Sequence, residues 1–119
     1  MKNLFNSFKY ALEGIIYAFN NEFNFVIQII IFILVIISGL IFEITRIEWI
    51  VVLLLSTFVL SLELINTAFE VLVDLVIDEY HDLAKTSKDA AAGSVFIMSL
   101  FSIIIGILIF YPYILDWIK

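Results

Sequence analysis

The sequence predicts an all-α integral membrane protein, in which an amphipathic surface helix precedes three transmembrane helices. Its 119 residues are 64% hydrophobic and only 15% charged, with a mean hydropathy of +1.16. Soluble domains are nearer half apolar and a quarter charged. Three segments each contain the ~20 mostly apolar residues that a bilayer crossing requires. The length allows one domain, which covers residues 1–119.

Residues 1–21 have the pattern of a helix that lies in the membrane interface. Apolar side chains recur at helical spacing with polar residues such as Asn6, Lys9 and Glu13 between them. This alternation favours a helix that rests on the membrane rather than one that crosses it. The apolar positions are Phe5, Phe8, Leu12, Ile15, Ile16 and Phe19.

The three predicted transmembrane helices cover residues 23–42, 47–77 and 90–113. Only "EITR" separates the first two, so they are expected to form a tight antiparallel hairpin. The third ends near Pro112, where a helix can stop. The longest polar stretch in the chain, residues 78–89, connects the second and third spans.

The basic residues predict the orientation in the membrane. Three spans place the N-terminus and the 78–89 loop on the same side, and that side carries four of the six lysines and arginines. Basic residues are enriched on the cytoplasmic side, so both segments are expected to be cytoplasmic. Trp49 and Trp117 then lie at the outer interface, where tryptophan is favoured.

The second span contains a stripe of polar residues within "ELINTAFEVLVD". Glu63, Asn66, Glu70 and Asp74 project within an arc of roughly 80°, and the stripe is ~16 Å long. An acid near the bilayer centre costs about 2.5–3.5 kcal/mol, so such residues are candidates for function. Helix-to-helix hydrogen bonding would explain a lone asparagine, but it explains three acids and an asparagine on one stripe poorly.

These carboxylates have no basic partner within the spans, so a divalent cation is the natural counter-charge. Mg²⁺ takes oxygen ligands, typically one or two carboxylates together with substrate phosphates. Glu22 belongs to the same site, since it lies at the cytoplasmic boundary near the depth of Glu70. The 78–89 loop adds charged groups and donors that suit a nucleoside triphosphate. They are Glu79, Tyr80, His81, Lys88 and Asp89.

Composition and motifs exclude several other classes of protein. Twelve acidic and six basic residues argue against nucleic acid as a partner. The absence of cysteine excludes disulfides, thiolate metal sites and thiol nucleophiles. The sequence also lacks G-x-x-x-x-G-K, so a kinase of this sequence is not of the P-loop type.

The stretch "ELINTAFEVLVD" followed by "DEYHDLAKTSKDAAAGS" resembles the bacterial diacylglycerol kinase and undecaprenol kinase family of small three-span lipid kinases. "INTA" and "AKTSKD" are more similar to the Gram-positive undecaprenol kinase branch. The resemblance covers nearly the whole chain. It implies a homotrimer in the bacterial cell membrane, with active sites shared between protomers, which uses ATP and Mg²⁺ to phosphorylate a lipid alcohol.

The resemblance also implies roles for individual residues. Glu63 corresponds to the general base that takes the proton of the lipid hydroxyl, and Glu22 and Glu70 correspond to the metal-binding acids. The positions that correspond to the ATP site are Tyr10, Glu22, Asn66, Glu70, Asp74, Glu79, Tyr80, His81, Lys88 and Asp89.

Some positions depart from the family pattern. Many relatives carry arginine or lysine beside the acid at position 22, whereas this chain has Asn20, Phe23 and Val26 there, and Ile16 replaces another residue that is often basic. These differences bear on lipid preference and rate. Undecaprenol is the expected substrate and diacylglycerol the alternative. A proton-coupled transporter, which also buries carboxylates, and a purely structural membrane protein are alternatives of other classes.

Overall fold

The computed structural model describes the backbone of residues 2–119 and the side chains of residues 3–119. Within this range the chain is helical, with three short connections. The last three helices are each long and apolar enough to cross a membrane, which fits an integral membrane protein. The four helices are α1 (Lys2–Asn21), α2 (Phe23–Phe42), α3 (Arg46–Val76) and α4 (Asp82–Ile118).

A single residue, Glu22, separates α1 from α2. Its backbone is extended, with φ −118° and ψ 104°. Its N–H still donates to the Ala18 carbonyl at 2.8 Å, and its own carbonyl accepts from the Phe25 N–H at 3.1 Å. The Glu22 side chain makes no capping hydrogen bond to α2. The carboxylate is therefore free to interact with other helices.

The turn between α2 and α3 is tight because both helix ends are capped. Glu43 adopts a left-handed conformation (φ 52°) and its N–H donates to the Gly39 carbonyl. At the start of α3, the Thr45 hydroxyl accepts the Glu48 N–H at 3.2 Å and the Glu48 carboxylate accepts the Thr45 N–H at 2.9 Å. This reciprocal capping box satisfies two backbone donors and produces the predicted helical hairpin.

The connection between α3 and α4 is shorter than the sequence pattern predicts. A polar loop was expected over residues 78–89, but α4 begins at Asp82, so residues 77–81 form the connection. His81 caps α4, since its Nδ1 accepts the Leu83 N–H at 3.1 Å. An i,i+4 pair between Lys85 and Asp89 supports the first turns. The polar residues 78–89 indicate where the chain leaves the membrane, but they do not indicate where the helix begins. Helix α4 starts within this polar stretch.

The other end of α4 also extends beyond the predicted end of the third span. Pro112 lies inside the helix, which ends at Ile118. The extra turns are held by aromatic packing against Phe42, whose ring centroid lies 5.1 Å from that of Trp117 and 6.0 Å from that of Tyr113. The Tyr113 hydroxyl donates to the Glu48 carboxylate at 2.5 Å. These tertiary contacts outweigh the single hydrogen bond that proline removes.

Burial in this protein is unlike that of a soluble domain. Large apolar side chains are exposed along all four helices, as suits helices that face lipid. The buried apolar residues are few: Ala18, Phe25, Ile44, Val52 and Val95. Alongside them three polar residues of α3 are buried, and they form the centre of the candidate site.

Candidate functional site

The deepest burial of polar groups occurs halfway along α3. Glu63 is 3% exposed, Thr67 5% and Asn66 7%. The Thr67 hydroxyl donates to the Glu63 backbone carbonyl at 3.0 Å, within the helix. Thr67 is therefore satisfied locally, whereas the side chains of Glu63 and Asn66 need partners across or along the stripe.

Two amide groups hold the Glu63 carboxylate. Gln28 Nε2, from α2, donates to Glu63 Oε1 at 3.0 Å, and Asn66 Nδ2 donates to Glu63 Oε2 at 3.0 Å. The Asn66 Nδ2 group also donates to Glu70 Oε1 at 3.1 Å. Hydrogen bonds to an ionised acceptor are among the stronger ones in proteins. The network therefore orients the carboxylate and links it to the next acid of the stripe.

The carboxylate of Glu22 faces that of Glu70 at the end of the network nearer the α1–α2 junction. Partial burial raises the pKa of Glu22, and the neighbouring charges of Glu70 and Glu63 and a hydrogen bond with Glu70 raise it further. Two carboxylates that share a space in this way need a proton or a cation between them.

The residues around Glu22 and Glu70 fit a hard divalent cation. The carboxylate donors are all oxygens, and the Oδ1 atom of neighbouring Asn66 is buried and has no hydrogen-bond partner among the described residues. Among the described side chains no group of three or more His, Cys, Asp and Glu could hold a metal ion by itself. A two-carboxylate site suits Mg²⁺, which completes its coordination with water and substrate phosphates.

A second group of charged residues surrounds a cavity of about 430 Å³ where α3, the 77–81 connection and α4 meet. Lys88 Nζ lies 2.5 Å from Asp74 Oδ1, which joins α4 to α3. Both partners are partly exposed, and exposed pairs of this kind contribute about 0–1 kcal/mol. Lys88 can therefore exchange Asp74 for another anion at small cost. The cavity is lined by six of the predicted site residues: Asp74, Glu79, Tyr80, His81, Lys88 and Asp89.

Three of the predicted site residues, His81, Tyr80 and Tyr10, have a local structural contact or lie away from the site. The His81 ring caps α4, so its Nδ1 is already occupied. A hydrogen bond with Asp82 raises the pKa of the Tyr80 hydroxyl, which stays a neutral donor at pH 7. Tyr10 lies on α1, is 63% exposed, and belongs neither to the buried network nor to the residues that line the cavity.

The sequence pattern did not identify Gln28 as part of the site. A signal was present, because the run from Phe25 to Ile37 contains Gln28 as its only polar residue. The geometry of an antiparallel hairpin gives a second signal, because residues equally distant from a facing pair also lie at the same level. Gln28 lies about 9 Å along α2 from Glu22, and Glu63 lies about 10 Å back along α3 from Glu70. If Glu22 faces Glu70, Gln28 is therefore expected near Glu63.

Known proteins with similar sequences belong to one family. Residues 9–110 match the family model for prokaryotic diacylglycerol kinase. An undecaprenol kinase of Bacillus subtilis is 44% identical over 94% of this chain and 91% of its own length. A diacylglycerol kinase of Haemophilus influenzae is 34% identical over 93% of this chain and 95% of its own length. A diacylglycerol kinase of Synechocystis is 41% identical over 87% of this chain, which spans 60% of that protein.

The facing carboxylates predict a stability that depends on pH and metal. Because the folded-state pKa of Glu22 is raised, ionised Glu22 destabilises the fold, and metal-free protein should become more stable as pH falls from neutral through that pKa. The substitution Glu22→Gln should raise the thermal midpoint at neutral pH and remove this pH-dependent gain. Adding Mg²⁺ with ADP should stabilise wild type more than the variant. Thermal unfolding in detergent micelles measures each effect.

Glu13→Gln is the matched control, since it removes the same charge from an exposed position of α1. It should leave both the pH response and the Mg²⁺ response at wild-type size. Equal responses in the two variants would contradict a metal site at Glu22.

Proposed function

The chain belongs to the prokaryotic diacylglycerol kinase family, and on that premise we propose that this lipid kinase phosphorylates undecaprenol, with Mg²⁺ held by Glu22 and Glu70. As a kinase of this family it uses ATP as the phosphoryl donor. The relative named undecaprenol kinase, 44% identical over nearly the full length of both chains, supports the choice of lipid.

The observation that carries the proposal is the burial of Glu63 inside a helix that can cross a membrane. A carboxylate at that depth can meet a hydroxyl that arrives sideways from the bilayer. The paired acids Glu22 and Glu70 lie about 10 Å nearer the α1–α2 junction, at the depth where a nucleotide phosphate can reach them. The order along α3 therefore matches the order of the two substrates.

In the proposed reaction the lipid hydroxyl oxygen attacks the γ-phosphorus of ATP. Its proton goes to the Glu63 carboxylate, the bond from the γ-phosphorus to the β,γ-bridging oxygen breaks, and ADP leaves. Phosphoryl transfer depends mainly on positioning and electrostatic stabilisation. The amides of Gln28 and Asn66 keep Glu63 in one orientation for this step. When bound, Mg²⁺ supplies charge neutralisation to the phosphates.

The loop-side cavity is the proposed nucleotide site. Lys88 would leave Asp74 for a phosphate oxygen, an exchange made easy by the exposure of the ion pair. The Tyr80 hydroxyl, which donates to Asp82, borders the same cavity. Because four acids and two lysines line the cavity, a nucleotide should enter as its metal complex rather than as a free anion. Tyr10 would join the site only if α1 or a second copy of the chain brings it close.

The placement in the membrane is part of the same proposal. The apolar side chains of α1, among them Phe5, Phe8 and Leu12, are exposed and suit an interfacial helix. The N-terminus and the α3–α4 connection would face the cytoplasm, where ATP is present.

Glu70 and Asp74 are not enclosed by one chain, which supports a homotrimer with shared active sites. Cross-linking in membranes should stop at three copies, and a ladder that ends at one or two would contradict it.

Diacylglycerol is the second candidate substrate, because the relatives from Synechocystis and Haemophilus influenzae are named diacylglycerol kinases. Both lipids present one free hydroxyl to the base, so the chemistry is the same. A proton-coupled transporter does not fit a chain that belongs to a kinase family.

Purified protein in mixed micelles, with labelled ATP and Mg²⁺, should transfer label to undecaprenol and more slowly to diacylglycerol. The expected order follows from the relative named undecaprenol kinase. Lipid extraction and chromatography measure the products. Faster labelling of diacylglycerol would reverse the choice of substrate, and no labelled lipid would remove the proposed function.

Glu63→Gln should lower kcat by about 10²–10⁴-fold, the usual contribution of general-base catalysis. Glutamine keeps the size of the side chain and can still bond to Gln28 and Asn66, but it cannot accept a proton. Nucleotide binding and oligomeric state should stay at wild-type values. Steady-state kinetics and size-exclusion chromatography measure both, and a kcat within tenfold of wild type would exclude Glu63 as the base.

The orientation can be tested with single cysteines, since the chain contains none. A cysteine at Glu79 should be labelled in intact cells only by membrane-permeant reagents. A cysteine at Thr45 should also react with impermeant ones, because the α2–α3 turn would lie outside. The opposite pattern would place the acids away from cytoplasmic ATP and contradict the proposal.

A further inference from the structure

Helix α4 is held in different ways at its two ends. Residues 113–118, its fixed end, lie near the α2–α3 turn. There the Tyr113 hydroxyl donates at 2.5 Å to the Glu48 carboxylate, which also caps α3. The Phe42 ring of α2 packs against Tyr113 and Trp117, with centroids 6.0 Å and 5.1 Å away. Aromatic pairs of this kind add to the stability gained from buried area, so the fixed end is joined firmly to both neighbouring helices.

Residues 82–94, the free end of α4, are held weakly. Among the described side chains, one polar contact joins this segment to α3, in which Lys88 Nζ lies 2.5 Å from Asp74 Oδ1. The two side chains are 37% and 66% exposed, and exposed ion pairs contribute little to stability. No residue of the segment is buried, and Val95 is the first buried residue of α4. The loop-side cavity of about 430 Å³ lies between the two helices here.

The packing between the two ends leaves space beside α4. An apolar cavity of about 420 Å³ lies between α2, α3 and α4, and it borders α4 from Ser99 to Ile114. Its wall is almost entirely hydrocarbon, from residues such as Phe32 and Val59. The cavity separates α4 from α2 along this stretch. A change in the tilt of α4 would therefore break few polar contacts there.

Pro112 lies where the fixed end begins. It is inside the helix, and because proline has no N–H, the Leu108 carbonyl four residues earlier loses its helical hydrogen bond. Helices bend most readily at such positions. Lys88 lies ~36 Å along α4 from Pro112, so a bend of ~5° at the proline moves Lys88 by ~3 Å. Phe110 is so close to the proline that it keeps its contact with Phe42.

We propose that α4 is a lever that bends at Pro112 when a nucleotide enters the loop-side cavity. The fixed end stays on Glu48 and Phe42 while the free end moves away from α3. A nucleotide phosphate takes Lys88 from Asp74 and so removes the polar contact of the free end. Because the nucleotide binds the bent state better than the straight one, it shifts the population towards the bent state. This inference rests on the proposed function, since it assumes that a nucleotide binds in the loop-side cavity.

Distances between spin labels test the movement, and the chain has no cysteine of its own to interfere with labelling. Labels at Leu75 and Thr86 report on the free end, and labels at Ile50 and Leu115 report on the fixed end. All four positions are exposed. In micelles, with labelled chains diluted by unlabelled ones, Mg²⁺-ADP should lengthen the free-end distance by about 3 Å and leave the fixed-end distance unchanged. Pulsed electron paramagnetic resonance measures both distances.

Pro112→Ala tests the bend without altering the nucleotide site. Alanine restores an N–H for the Leu108 carbonyl, and one such hydrogen bond changes an equilibrium by about fivefold. The variant should bind Mg²⁺-ADP about fivefold more weakly, as measured by isothermal titration calorimetry. If Pro112 affects only its own part of the helix, the thermal midpoint changes but ADP binding does not. Leu108→Ala, at an exposed position one turn earlier, is the matched control and should bind ADP like wild type.

The outcomes distinguish the lever from the proposed function. Wild-type protein that does not bind Mg²⁺-ADP removes the proposed nucleotide site and the lever with it. Binding without a change in the free-end distance, or with equal changes in both distances, overturns the lever and leaves the proposed function standing. Equal ADP affinity in wild type and Pro112→Ala overturns it as well. A longer free-end distance, a constant fixed-end distance and weaker ADP binding by Pro112→Ala support it.

Discussion

A buried carboxylate in a helix apolar enough to cross a membrane must find hydrogen-bond donors within the protein, and the arrangement of this molecule depends on that requirement at Glu63. The donors are two amides, from Gln28 on α2 and from Asn66 one turn along α3. An amide can neutralise none of the charge, but it can direct hydrogen-bond donors at both carboxylate oxygens. Basic partners would bind the carboxylate more tightly and reduce its ability to take a proton, so amides suit a base better.

The same bond between Gln28 and Glu63 fixes one point of the register of the α2–α3 hairpin. The hairpin is closed at its far end by the capping box of Thr45 and Glu48, so its length and alignment are defined at two points. With that register, Glu22 at the start of α2 comes to the level of Glu70. The Gln28–Glu63 hydrogen bond and the facing of Glu22 and Glu70 therefore depend on the same helix register. A shift of α2 along α3 would separate Gln28 from Glu63 and Glu22 from Glu70 at the same time.

Much of this arrangement follows from the sequence, and the remainder has identifiable reasons. Apolar length predicted the first span over residues 23–42, where α2 lies, and the acid stripe was visible because 3.6-residue periodicity places Glu63, Asn66 and Glu70 on one face. Gln28 could not be assigned without the register of the hairpin. The full length of α4 was not predictable from hydropathy, which reports where a chain leaves the membrane and not where its helix ends.

Burial along the stripe falls from Glu63 to Asp74, and this gradient fits the two substrates of the proposed function. Glu63 and Asn66 are buried, Glu70 is half-buried and Asp74 is exposed. Exposing a charge to hydrocarbon costs most near the bilayer centre and little near the interface, so enclosure is needed only at the deep end. The deep end is therefore enclosed, and it borders the apolar cavity between α2, α3 and α4. The shallow end stays open, and the proposed nucleotide site there includes the exposed Lys88–Asp74 ion pair. A stripe of uniform burial would fit only one of the two substrates in the proposed function.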